Sequence, residues 1–260
     1  MDIAPFRGIG QFGPAYQRMY ENDVHAPGSV DRVLLARMVR MCPETRAHLY
    51  GGSPSKASLY RPGSRPAMET LAADAIGSSR SDEERVDAIA AFCSRLGDRE
   101  PATGLEEMLF GGREEEIVAR GSDWCTDVAR VACVLCQVVG IPARLVVLAN
   151  VSSAYSGHEI IEARRGGRWG AVDPLAGVVY RHLDGAPAST WDLMLDPSLV
   201  ERHGRRPAQF AMAAIADYSA MEHTRYDFTV SGLNDYYRSI LTMAEAGWPG
   251  GLRWLHAEEQ

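Results

Sequence analysis

The sequence predicts an α+β protein in which one cysteine-bearing helix packs on a small antiparallel sheet, with additional helices before and after that core. Three observations carry the prediction. After Cys125, the residues Val128, Val131, Ala132, Leu135 and Val139 recur at three- and four-residue steps, which places them on one face of a helix. The run Ala143-Arg144-Leu145-Val146-Val147-Leu148-Ala149 is apolar and β-branched, as in a buried strand. Residues 158–164 and 169–173 flank Arg165-Gly166-Gly167-Arg168, a glycine-rich turn that reads as a hairpin.

The other elements follow in order. Residues 1–28 are rich in Gly, Pro and aromatics (Phe6, Phe12, Tyr16, Tyr20) and read as a surface wrap. A helix is expected over 29–41, with Val30, Val33, Leu34 and Met38 on one side. Gly51, Gly52, Pro54, Pro62 and Gly63 make 50–65 the densest loop signal, and Arg65-Pro66 then opens a helix to residue 76. Ser81 with Glu84 forms a capping box that starts a helix to Leu96, its inner side lined by Val86, Ile89, Ala90, Phe92 and Cys93. A shorter helix is expected over 103–110. Gly111-Gly112 breaks it, and 114–119 is a last turn before the cysteine loop. Ser122 or Asp123 can cap the cysteine helix, and Gly140 with Ile141-Pro142 ends it. Beyond Pro174 at most two more strands are expected, with 178–180 a candidate; helices follow over 189–202, 207–222 and 233–246. The organisation is thus an N-terminal wrap with helices (1–80), a core (81–186) and a C-terminal helical extension (187–260) packed on that core as one unit.

Cys125 sits in the first turn of its helix, where the positive end of the helix dipole favours thiolate over thiol. Asp123 and Asp127 oppose this, so a basic partner is needed. His158 is the candidate, and the hairpin register decides whether Asp173 can join it. A two-residue loop at Arg165-Gly166 sets His158 opposite Asp173. A loop at Gly166-Gly167 sets Asp173 opposite Ile160, diagonal to His158. Both leave the two side chains on one face of the sheet, because side chains alternate with period two. A three-residue loop would separate them.

The motifs Gly121-x-x-x-Cys125-x-x-x-Ala129, Gly140-Ile141-Pro142-Ala143-Arg144, Gly157-His158-Glu159 and Gly167-Arg168-Trp169-Gly170-Ala171-Val172-Asp173-Pro174 come in an order that resembles the transglutaminase-like core of the papain-like cysteine enzymes. The resemblance covers residues 81–180. It implies Cys125 as nucleophile, His158 as general base and acid, and Asp173 as the orienting carboxylate. Two departures stand out. Family members often carry an aromatic residue where this chain has Glu159, and a Trp upstream of the cysteine, which assists the oxyanion in some members, is absent before Trp124. The backbone N–H of Cys125 can supply one oxyanion donor; Tyr50, Tyr60 and Trp124 are candidates for the second.

Composition narrows the remaining classes. A net charge of −7 offers no basic excess for nucleic acid or an anionic membrane, so neither partner is expected. Lys56 is the sole lysine among arginines, a bias that points to a GC-rich bacterial genome. Five cysteines make an odd number without a disulfide framework. The N-terminus lacks a signal-peptide pattern, and no apolar run reaches membrane-spanning length. The expectation is a cytoplasmic protein with reduced thiols and with neither cofactor nor metal. Cys133 and Cys136 read as core, Glu159 and Glu162 as a solvated edge, and Arg205-Arg206 as a solvated charge pair. Tyr155, just before His158, and Trp124 are expected near substrate.

The chemistry this implies is acyl transfer through a cysteine thioester: amide or peptide hydrolysis, transamidation, or amide formation from a thioester donor. The expected substrate is a peptide or small-molecule acyl group, carrier-protein-bound donors included. The alternative is a catalytically inactive binding module of the same fold, which the unidentified second oxyanion donor favours.

Overall fold

The computed structural model describes residues 39–51, 60–98, 112–149, 158–210 and 212–221. The elements are β1 (Val39–Arg40), α1 (Pro43–Tyr50), α2 (Pro66–Ile76), α3 (Asp82–Ser94) with a 3₁₀ turn (Arg95–Asp98), α4 (Glu114–Arg120) and α5 (Cys125–Val138). They continue as β2 (Ala143–Ala149), β3 (His158–Arg165), β4 (Arg168–Asp173), β5 (Val178–Val179), α6 (Thr190–Leu195), α7 (Ser198–Glu201), a 3₁₀ turn (Pro207–Phe210) and β6 (Met212–Ala216). The strands form one antiparallel sheet in the order β1-β6-β2-β3-β4-β5.

Both faces of this sheet are covered. Ala143 and Leu145 of β2, Ile161 and Ala163 of β3, and Ala214 and Ala216 of β6 pack with α2, α3 and α5 in one core. Their alternating neighbours Val146, Leu148, Ile160, Ala213 and Ile215 pack on the other side with Leu193 of α6, Leu199 of α7 and Tyr180. Two buried faces explain why the strands read as continuous apolar runs rather than as alternations. The cysteine helix α5 is buried along almost its whole length. Gln137 near its end donates to the carbonyls of Ala143 (2.9 Å) and Tyr218 (2.6 Å) and accepts from the Ala220 N–H (2.8 Å), which ties the helix to β2 and to the chain beyond β6.

The hairpin takes the Gly166-Gly167 loop. Both glycines have positive φ (54° and 81°), which suits the tight turn that matches strand twist, and Arg165 pairs with Arg168. The Ser81–Glu84 capping box is formed as expected, and so is the helix opened by Arg65-Pro66.

Several expectations are corrected. The span 207–222 is not helical: 207–210 is a 3₁₀ turn and Met212–Ala216 is a strand seated between β1 and β2. An apolar run of five residues, covered on both faces, leaves no periodicity to separate strand from helix. The expected helix over 189–202 is two short ones, broken at Asp196-Pro197, because proline has no N–H to continue the ladder. Val39–Arg40, the end of the helix expected over 29–41, pairs with β6 as a strand. The N-cap of α5 is Trp124, with no side-chain cap, rather than Ser122 or Asp123. The wrap over 1–28 and the helices expected over 103–110 and 233–246 lie outside the described residues. No described helix is long and apolar enough to cross a membrane.

Candidate active site

Residues before the cysteine fix the entry of α5. Gly121 ends α4 at φ 82°, and the Ser122 N–H then donates to the Leu96 carbonyl (3.1 Å), pinning the loop to the 3₁₀ turn. Ser122 Oγ accepts from the Trp124 N–H (3.2 Å) and donates to Asp127 Oδ2 (3.3 Å). Gly97 lies under this loop, where an added Cβ would already touch Asp123 at 3.6 Å.

Cys125 is the first residue of α5 and is partly exposed, whereas the other four cysteines are buried and all five are free. The first-turn N–H groups of a helix have no intrahelical carbonyl to bond, so the Cys125 N–H is available to an incoming oxygen. Of the two acidic neighbours, Asp123 is exposed, and Asp127 is neutralised by Arg120 (2.7 Å), with Arg130 at 3.6 Å. Deeper in the same helix, burial pushes the Cys136 thiol up to about 12 and raises the Cys133 thiol, as it does that of Cys93 on α3. Those three sulfurs are core, as the sequence reading expects.

His158 opens β3 and Asp173 closes β4, so both stand at the same end of the sheet, on one face. His158 Nε2 lies 2.9 Å from Asp173 Oδ2, and the Cys125 side chain is near enough to the same imidazole to act on its charge. Burial alone would push the His158 imidazole down. The Asp173 carboxylate and the cysteine sulfur outweigh it and raise the imidazolium to about 10. Asp173 is only 1% exposed. Burial would raise its carboxyl, but hydrogen bonds from His158 and from the Ala176 N–H (3.1 Å), with Arg205 nearby, bring it below the usual carboxylate range.

The sequence reading missed Arg205. Expected as a solvated charge, it donates from Nη2 to Asp173 Oδ2 at 3.1 Å, across a separation of 32 residues. The solvated-edge reading of Glu159 and Glu162 is also overturned, since both are buried. Glu162 accepts from Arg144 (Nε 2.9 Å, Nη2 2.6 Å), from the Tyr50 hydroxyl (2.8 Å) and from the Thr190 N–H (2.7 Å). Arg144 in turn lies 4.0 Å from the centre of the Trp169 ring. No single segment shows this cluster, because its members come from α1, β2, β3, β4 and α6.

Tyr50 and Tyr60 are committed elsewhere, to Glu162 and to Glu69, which removes them as oxyanion donors in this arrangement. Trp124 is half-buried next to Cys125. Tyr155, expected near substrate, lies outside the described residues. Among the described residues no group of three or more His, Cys, Asp or Glu side chains could hold a metal ion.

Behind the cysteine loop lies a second charged cluster. Glu114 of α4 is fully buried between Arg65 (2.7 Å) and Arg130 (2.8 Å) and also accepts from the Tyr218 hydroxyl. Burial would raise the Glu114 carboxyl, but the two guanidinium groups bring it down to about 2. This cluster joins α2, α4, α5 and the segment after β6, and so fixes the helix that carries Cys125.

Residues 69–174 match the family model of the transglutaminase-like superfamily. The mixed fold of helices on an antiparallel sheet agrees with that match, and the family is one of cysteine-dependent hydrolases and acyltransferases. No curated protein matches the chain. A solved structure from Cytophaga hutchinsonii, which carries a provisional cysteine-protease name, aligns at 18% identity and a TM-score of 0.33, covering 56% of this chain and 46% of its own. The chain thus spans less than half of that protein.

Proposed function

We propose that this chain, whose residues 69–174 carry a transglutaminase-like core, is an acyl-transfer enzyme that works through a thioester on Cys125. The observation that supports it best is His158 held 2.9 Å from Asp173, with the Cys125 side chain near enough to raise the imidazolium. In this reading the His158 ring holds the proton of the Cys125–His158 pair, and the thiolate attacks a substrate carbonyl. The tetrahedral oxyanion that forms is met by the Cys125 N–H. Its collapse breaks the bond to the leaving amine or thiol, which takes the proton back from His158, and leaves the thioester. Water or an amine then adds to the thioester, losing its proton to His158 as the thiolate departs. Asp173 holds the ring and stabilises its charged form. Trp124 and Tyr155 are the proposed substrate contacts. A peptide or small-molecule acyl group, free or on a carrier protein, is the proposed substrate class, and a cytoplasmic setting suits five free thiols.

Alkylation of the native protein tests the activated sulfur without knowledge of the substrate. Iodoacetamide at neutral pH should modify Cys125 first, since its thiol is partly exposed and paired with an imidazole, and His158→Ala should slow it at least tenfold. Equal labelling of all five cysteines in folded protein, or a His158→Ala variant that reacts as fast as wild type, would favour an inactive binding module instead.

A further inference from the structure

Asp173 Oδ2 has two donors, not one. His158 Nε2 approaches it at 2.9 Å from β3, and Arg205 Nη2 at 3.1 Å from the segment that follows α7. The carboxylate is 1% exposed, whereas the Arg205 side chain is 30% exposed. We propose that Arg205 is a positioning residue for the Cys125–His158 pair, a permanent counter-charge that shares Asp173 and limits how strongly the carboxylate holds the imidazolium. This rests on the acyl-transfer reading above.

An ionised carboxylate taken out of water needs a partner in every state it passes through. His158 supplies a positive charge only while it is protonated, and general acid–base catalysis requires it to alternate. Each time His158 gives its proton to a leaving group, Asp173 would be left as a buried anion facing a neutral ring. The guanidinium group of Arg205 lies 3.1 Å from the carboxylate and covers it in that half of the cycle. Its charge also opposes the imidazolium, because two cations then compete for one oxygen. A histidine held too tightly in its charged form is a poor proton donor, and Arg205 relaxes that hold.

The groups that face the His158–Asp173 pair can be named element by element. Cys125 comes from α5 and Asp173 from β4. From beyond β5, Tyr180 feels the charges of both Asp173 and Arg205. The His203 ring lies beside Tyr180, with centroids 5.2 Å apart, in the segment that also carries Arg205. On the His158 face of β3, Glu162 is neutralised by Arg144. Among these described groups, Arg205 is the cation in contact with Asp173 besides His158 itself.

Titration of the His158 imidazole by NMR, in the full chain with Arg205→Gln and Arg205→Lys, tests the proposal and needs no substrate. Loss of the cation should raise the His158 pKa by about one unit, the size of shift that a nearby charge produces. Arg205→Lys should stay within about a third of that shift of wild type, since it keeps the charge. A His158 pKa that is unchanged or lowered in Arg205→Gln would overturn the proposal, because a merely structural arginine would loosen Asp173 and lower it. If Arg205→Gln does not fold, Arg205→Lys decides: a shift as large as a full unit would overturn the charge-sharing account. The result is independent of turnover, so an inactive protein with the expected titration would sink the acyl-transfer reading and leave the charge sharing intact.

Discussion

At His158, burial and charge pull in opposite directions and charge wins, which gives the residue a pH signature. Its folded-state pKa of about 10 lies above the ordinary 6.5, so the stability it contributes is complete below pH 6.5 and is lost as pH rises through about 10. Asp173→Asn removes the cause, because an amide can hold the ring but cannot stabilise its charge. The stability advantage of wild type over Asp173→Asn should therefore shrink steadily between pH 6.5 and 10, as measured by chemical denaturation at each pH. A difference that stays flat across this window would contradict the assignment of charge to the pair. Where turnover is measurable, Asp173→Asn should reduce it by at most about four orders of magnitude, the figure for the serine-protease equivalent, because a thiol releases its proton more readily than a hydroxyl. Cys125, His158 and Asp173 were legible as a set because helix start, strand start and strand end are all local signals. Arg205 and Glu162 were not. Their partners are distant in sequence, and a lone charged residue carries no mark of whether its counter-charge is solvent or a buried neighbour.

At the scale of elements, the hairpin shows how far a local reading can go. Two glycines restrict the loop to tight turns, parity does the rest, and the observed pairing is one of the two registers the sequence allows. Gly170 of β4 adds a constraint that the register alone does not reveal. A Cβ there would overlap Arg165 Nη2 and stand 2.6 Å from Pro187 Cβ. Arg165 is fully buried and paired with Glu83, and Pro187 cannot swing aside, so neither neighbour yields easily. Gly170→Ala should cost about 1–3 kcal/mol, the range for overpacking a close-packed interior. A denaturation midpoint equal to that of wild type would show that the Arg165 side chain has a second resting place. The strand β6 marks the opposite limit. Met-Ala-Ala-Ile-Ala has no alternation to read, and alanine favours helices in isolation. Its conformation is set by the edges of β1 and β2 on either side of it, which is tertiary information.

At the largest scale, the described residues form a sheet covered on both faces, with the candidate reacting groups at one rim. Cys125 arrives on the helix that packs one face. His158 and Asp173 belong to the other face, which α6, α7 and Arg205 cover. The site therefore depends on both layers being docked, and on strands β1 and β6 from the two ends of the described chain completing the sheet. The central claim is that this assembly makes Cys125 a nucleophile that carries an acyl group. Intact-mass spectrometry after brief incubation with simple activated acyl donors, such as p-nitrophenyl acetate and an acyl thioester, tests it most directly. The account predicts a single added acyl group, mapped to Cys125, absent in Cys125→Ala and strongly reduced in His158→Ala while both variants remain folded by circular dichroism. An unmodified Cys125, or acyl groups spread over other residues at the same rate in wild type and Cys125→Ala, would contradict it.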